Sequence, residues 1–137
     1  MGDGDAETSK KTDGNLSDAI DPSSPYYLHP SDFPKQLHVN EVLTYGNYMD
    51  WAQEMSNFLY AKNKIDFVDG TIKKPEIGST KYKPWMRCDA MIKGWITTAM
   101  EKTIRDSVKY VGTASEMWSD LQERSEKENA PRAYELK

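Results

Sequence analysis

The sequence predicts an all-α protein: a small orthogonal bundle of four helices plus a C-terminal stub, with a disordered N-terminal leader and an extended Pro-rich arm ahead of it. Three observations predict this class. From residue 48 onward apolar residues recur at spacings of three and four, the period of a helix face rather than of a strand. Helix start signals open two of these runs, Pro84 at one and a Thr-x-x-Glu box at Thr113 and Glu116 at the other. Strand-like alternation is confined to Leu37, Val39 and the Val42-Leu43 pair, where one short strand or a hairpin about Asn40-Glu41 is expected.

Residues 1–24 hold two basic and six acidic residues, with Leu16 and Ile20 as the sizeable apolar groups. That is too little burial to offset the entropy of ordering, so the segment reads as an acidic, disordered leader. Pro22, Pro25, Pro30 and Pro34 push their predecessors toward extended geometry, and residues 25–46 read as an arm laying Tyr26, Tyr27, Leu28 and Phe33 on the globule.

Residues 47–137 form the helical domain. Asn47 is a candidate N-cap, and Tyr48, Trp51, Ala52, Met55, Phe58 and Leu59 fall on one helix face. Asp50, Gln53, Glu54, Asn57 and Lys62 point elsewhere, and Ile65, Phe67 and Val68 offer the first cover before the turn at Asp69-Gly70. A second helix begins near Lys83-Pro84, with Trp85, Cys88, Met91, Ile92, Trp95, Ile96 and Ala99 as its apolar stripe. Gly94 within it costs about 1 kcal/mol relative to Ala, which predicts a neighbour packed close to the backbone there. Ile104, Val108 and Val111 mark a third helix ending near Gly112. A fourth buries Ala114, Met117, Trp118 and Leu121, its far side being Ser119, Asp120, Glu123, Arg124 and Glu126. Asn129-Ala130-Pro131 is expected to break it, leaving a stub from Arg132.

With 37% apolar residues, four Trp and eight Tyr, 137 residues make one modest core. The net charge of -4 lies entirely in the leader, and the remainder is balanced at sixteen basic and sixteen acidic residues. A balanced body lacks the cationic surplus that phosphate binding requires, so RNA is not supported as a partner. The lysines at 62, 64, 73, 74, 81 and 83 are interleaved with Asp66, Asp69 and Glu76 and read as a solvated loop. One cysteine allows neither an internal disulfide nor a Cys-rich zinc cluster, and no cofactor or metal is expected. Neither a secretory signal nor a membrane span is evident, so the expected location is cytoplasmic, with the nucleus as an alternative and no membrane partner. No nucleophile, base and charge-holding set can be assembled, so no enzyme is expected. His29 and His38 read as solvent-facing or edge-packed, and Cys88 as a buried structural thiol.

The motifs add what periodicity does not. Asp21-Pro22-Ser23-Ser24-Pro25-Tyr26-Tyr27-Leu28-His29-Pro30-Ser31-Asp32 resembles the N-terminal signature of the gag polypeptide of plant copia-type LTR retrotransposons. Leu43-Thr44, Gly46-Asn47-Tyr48 with Trp51, Ala61-Lys62-Asn63-Lys64 and Phe67-Val68-Asp69-Gly70 continue the pattern. Trp85-x-Arg87-Cys88-Asp89 with Trp95-Ile96 matches a second block. Ala114, Glu116, Trp118, Asp120-Leu121, Glu123-Arg124 and Asn129-Ala130-Pro131-Arg132 match a third. The resemblance spans about residues 21–137; Tyr45, bulky beside the usual small turn, departs from it.

The resemblance implies a capsid-like structural domain whose copies associate into particles around the element's RNA. It implies as well that the zinc knuckle, protease, integrase and reverse transcriptase of a full element are not in this sequence, as in a fragment of a decayed insertion or a short host gene derived from one. Tyr48, Trp51, Phe67, Trp85, Trp95, Trp118 and Leu121 are the expected signature core. The expected partner is a second copy, through the charged sides of the first and fourth helices: Asp50, Gln53, Glu54, Asn57, Asp120, Glu123 and Arg124. A co-opted adaptor that binds a host protein through its Pro-Tyr-Tyr-Leu arm or a helix groove, and a weak RNA-binding Gag remnant, are the alternatives.

Overall fold

A computed structural model of the chain describes residues 19–135, with side chains described through residue 127. Within that span the protein is a helical bundle of five helices: α1 (Tyr48–Ala61), α2 (Ile65–Val68), α3 (Tyr82–Thr98), α4 (Lys102–Val108) and α5 (Ala114–Glu135). The expected apolar faces are the ones that meet. Trp51, Met55 and Leu59 of α1, Ile92, Trp95 and Ile96 of α3, Ile104 and Val108 of α4, and Met117 and Leu121 of α5 are all buried in one cluster. Each such side chain contributes about 1.5–3 kcal/mol of transfer free energy, which is what holds short helices that could not persist alone.

The expected helix count changes at both ends of the domain. The Ile65, Phe67, Val68 cover is itself a one-turn helix, α2, whose Phe67 and Val68 are buried. The expected break at Pro131 does not occur, and α5 continues to Glu135, absorbing the stub. A proline removes one helical hydrogen bond, here the one to the carbonyl of Lys127, and Lys127 is exposed so that water can replace the lost donor.

Two more expectations fail locally. Residues 36–43 make no strand or hairpin; one bridge pairs Leu43 with Met100, Leu43 N–H donating to Ala99 O (2.7 Å) and Glu101 N–H to Leu43 O (3.0 Å). Alternation over so few residues cannot recruit a partner strand when every neighbour is a helix. Asn47 precedes α1 but does not cap it with its side chain. Its Oδ1 accepts from Thr44 N–H (2.8 Å) and its Nδ2 donates to Val42 O (2.9 Å), so the amide pins the incoming loop instead.

The expected start of α5 does form. Thr113 Oγ1 accepts from Glu116 N–H (3.1 Å) while Glu116 Oε1 accepts from Thr113 N–H (2.9 Å), the reciprocal pattern of a capping box. At the other end of α3, Arg105 covers carbonyls that have no helical partner, donating to Thr97 O (3.1 Å) and Met100 O (2.9 Å). Trp51 Nε1–H donates to Ala99 O (2.7 Å) across the core, whereas the buried Trp85 Nε1–H has no acceptor among the described residues.

Candidate interaction surface and the arm that borders it

Residues 21–46 form a strap, bonded along its length to α1 and α3. It begins with a turn at Asp21, whose carboxylate accepts from Ser23 N–H (2.9 Å); Ser24 is already buried. Residues 19–24 of the expected leader therefore have a defined course, and residues 1–18 lie outside the described residues.

Three consecutive residues after α1 grip the strap. Lys62 Nζ pairs with Asp32 Oδ1 at 2.7 Å, Asn63 Nδ2 donates to Ser23 O (3.2 Å), and Lys64 Nζ donates to Tyr27 O (2.6 Å). Asn63 can turn the chain between the two lysines because it adopts φ +60, a left-handed conformation that Asn tolerates better than most residues. Lys64 is 2% exposed, and burial lowers its pKa. A buried ammonium needs hydrogen-bond acceptors, and the strap's Tyr27 carbonyl is the nearest. The Asp32 carboxylate also accepts from His29 N–H (3.0 Å), so one acid closes the His29-Pro30-Ser31-Asp32 turn and fastens it to α1.

The α3 side is equally engaged. Cys88 S–H donates to Tyr26 O (3.4 Å), Trp95 Nε1–H donates to Phe33 O (2.8 Å), and Thr98 Oγ1–H donates to Pro34 O (3.4 Å). The close neighbour expected at Gly94 is Pro34, whose Cα and carbonyl oxygen would each lie 2.8 Å from a Cβ placed there. Further along, His38 stacks on Phe58 with ring centroids 3.9 Å apart and meets Trp95 edge-on at 6.0 Å. Glu54 Oε1 accepts from Asn40 N–H (2.7 Å) and Glu54 Oε2 from Asn40 Nδ2 (3.2 Å).

These contacts set the chemistry available. Burial pushes the Cys88 thiol up to about 11, against the lowering influence of Lys64 and Arg87, so it is a weak nucleophile at neutral pH. Burial and the nearby Lys62 charge lower the pKa of His38, which keeps it a neutral stacking ring. His29 is exposed, its Nδ1 accepting from Ser31 N–H (3.0 Å). Among the described residues no group of three or more His, Cys, Asp or Glu is placed to hold a metal, and no helix is long and apolar enough to cross a membrane.

The seven expected surface residues do not form one patch. Asp50, Gln53 and Asn57 stay exposed on the outside of α1, with Gln53 Nε2 donating to Asn57 Oδ1 (3.3 Å). Glu54 is committed to Asn40. Arg124 Nε pairs with Asp120 Oδ2 (2.8 Å), and its NH1 donates to Ser107 Oγ (3.1 Å), tying α5 to α4; exposed Glu123 sits 3.4 Å from Lys127. Of the expected signature core, Trp51, Phe67, Trp85, Trp95 and Leu121 are buried, while Tyr48 and Trp118 pack half-buried around Trp51 at ring distances of 6.3 and 5.9 Å.

Asp89 is the residue that periodicity missed. Its carboxylate, 3% exposed, accepts from Ala114 N–H (2.8 Å) and lies 3.3 Å from Lys93 Nζ, while Lys93 in turn donates to Gly112 O (2.8 Å). A carboxylate on α3 thus caps the N-terminus of α5. The signal available was an acid flanked by Cys88 and Ile92 at the margin of the apolar stripe, a position where a charge persists only if it is paired.

Residues 29–76, which run from His29 within the strap through α1 and α2, match the family described as Gag-polypeptide of LTR copia-type. The blocks at 21–28 and 85–132 rest on the residue-level resemblance. No curated protein and no solved structure matches the chain.

Proposed function

We propose that the chain is a non-enzymatic, self-associating structural protein that acts as the N-terminal capsid-type domain of a Gag particle in the cytoplasm. One observation carries the reading: residues 29–76, which match the Gag family, are used internally to fasten the strap, while the outside of α1 stays exposed among the described residues. Met49 and Tyr60 are 76% and 75% exposed at the two ends of that stripe, and Gln53 and Asn57 lie between them. Spacings of four, four and three residues put all four on one side of the helix. A contact between identical copies sets a patch against itself, so a stripe with no charge along its centre meets no repulsion there. Glu123 of α5 remains exposed as a second contact, whereas Glu54, Asp120 and Arg124 serve the domain itself.

Mass photometry and negative-stain microscopy across a wide range of protein and salt concentrations test the proposal. Concentration-dependent oligomers that are lost in a Met49→Asp, Tyr60→Asp double variant of unchanged thermal stability are expected. Strictly monomeric behaviour of the native chain under all conditions refutes it. The adaptor reading is weakened by the strap itself, because the Tyr26 and Tyr27 carbonyls are already engaged by Cys88 and Lys64.

A further inference from the structure

An apolar recess opens where residues 43–48 meet α4 and α5. It is lined by Leu43, Tyr45, Tyr48, Ile104, Leu121 and Arg124. Leu43, Ile104 and Leu121 are buried and form its floor, while Tyr45 stands 55% exposed at its lip. Its rim is acidic. Tyr45 and Tyr48 also line an adjoining recess that includes Asp50, and burial together with the nearby Glu126 charge raises the pKa of Tyr48. Arg124 is offset by Asp120 at 2.8 Å, whereas Asp50 and Glu126 are exposed and form no ion pair among the described residues.

The loop before α3 presents the complementary shape and charge. Ile77 is 85% exposed, although the turn that carries it is fixed by its own hydrogen bonds. Ser79 N–H donates to Glu76 O (3.0 Å), Tyr82 N–H to Ser79 O (3.1 Å) and Lys81 N–H to Ser79 Oγ (3.1 Å), with Gly78 at φ +101. An apolar side chain is thus held out in water on a tight corner. Lys73 and Lys74 stand four and three residues before it, so the chain itself keeps them within about 14 Å, and neither forms an ion pair among the described residues.

Knob and recess lie at opposite ends of α3. Ile77 belongs to the loop that leads into Tyr82, and Leu43 bridges Met100 just past the other end of this 17-residue helix. At about 1.5 Å per residue the separation is about 25 Å, so Ile77 cannot fill the recess of its own copy. We propose that the Ile77 turn of one copy docks in the Leu43, Ile104 and Leu121 recess of a second copy, with Lys73 and Lys74 facing Asp50 and Glu126. The contact rests on the self-association reading and supplies what that reading needs. An α1 stripe set against itself closes at two copies, whereas a head-to-tail contact between different surfaces propagates into rings or chains. The exposed charge pairs set orientation and add little affinity of their own.

The test is intermolecular paramagnetic broadening in NMR. Full-length chain carrying a nitroxide on Glu76→Cys is mixed with isotope-labelled native chain; the native Cys88 is buried and stays unlabelled. Amides of residues 43–50 and 121–126 of the observed chain are expected to broaden. The broadening is expected to vanish when the nitroxide chain also carries Ile77→Asp or the observed chain carries Tyr45→Asp, both exposed positions, and to weaken at about 500 mM salt, where exposed charges are screened. An α1 stripe contact would be indifferent to Ile77→Asp, so broadening that survives this change overturns the proposal. Oligomers in mass photometry with sharp amides at 43–50 and 121–126 overturn it as well, and leave self-association standing. Monomers throughout, with no broadening anywhere, overturn both.

Discussion

Replacing Gly94 with Ala separates the strap's contribution from that of the helix. At an unobstructed interior site of a helix, Gly→Ala stabilises by about 1 kcal/mol. In this protein the new Cβ would fall 2.8 Å from the Cα and the carbonyl oxygen of Pro34, and closer still to its Cβ. Pro34 meets it with backbone and a closed ring, neither of which can swing aside as the end of a long side chain can. Overpacking of this kind costs about 1–3 kcal/mol. Displacing Pro34 also loosens the Trp95 Nε1–H to Phe33 O bond (2.8 Å), worth roughly 1 kcal/mol net. The helix gain offsets that last loss, leaving a destabilisation of about 1–3 kcal/mol, or about 4–12 °C in Tm for a domain of this size. Urea unfolding followed by tryptophan fluorescence and far-UV circular dichroism, with unchanged m, is the assay. A rise in midpoint equivalent to about 1 kcal/mol would refute the reasoning, because it would mean that Gly94 has no close neighbour.

Three further outcomes are expected. Asp89→Ala leaves the Ala114 N–H without an acceptor inside the core, which costs about 2–3 kcal/mol in thermal unfolding; Asp89→Asn, which keeps an acceptor, costs about half as much. Equal stability of both variants with the native protein would show that α5 needs no cap from α3. His38 has its folded pKa lowered below 6.5, so the unfolded chain takes up the proton first and stability falls as pH drops below about 6.5. His38→Gln should flatten that slope between the two pKa values, and an unchanged pH profile would exclude His38 as its source. Cys88, with its thiol raised to about 11 beneath Tyr26, should react with an aromatic disulfide reagent only as the strap lifts, and complete labelling within the mixing time would contradict the closed strap.

The helices could be read from the order of residues because a helix face is a local pattern. Trp51, Met55 and Leu59 recur at the helix period whatever they pack against, and Thr113 with Glu116 caps α5 through bonds three residues apart. Gly94 advertised a close neighbour without naming it. The family blocks at 21–32, 61–64 and 85–89 could be recognised as motifs, yet their joint purpose lay in contacts thirty or more residues apart along the chain: Asp32 with Lys62, Tyr27 with Lys64, Tyr26 with Cys88. The polar residues were harder to place. Glu54 and Asp50 look alike along the chain, and only the course of residues 36–43 over α1 turns Glu54 into a clamp for Asn40 while leaving Asp50 in water.

Pro131 did not act as a stop signal: α5 runs on to Glu135 and is anchored further back by buried Ala114, Met117 and Leu121. By itself, then, the sequence determined the helical class, the apolar faces and the Gag resemblance, all carried by near neighbours in the chain. Tertiary structure alone decided which lysines and acids are fastenings and which are surface, because a side-chain hydrogen bond depends on where a distant backbone passes, and no local period encodes that path.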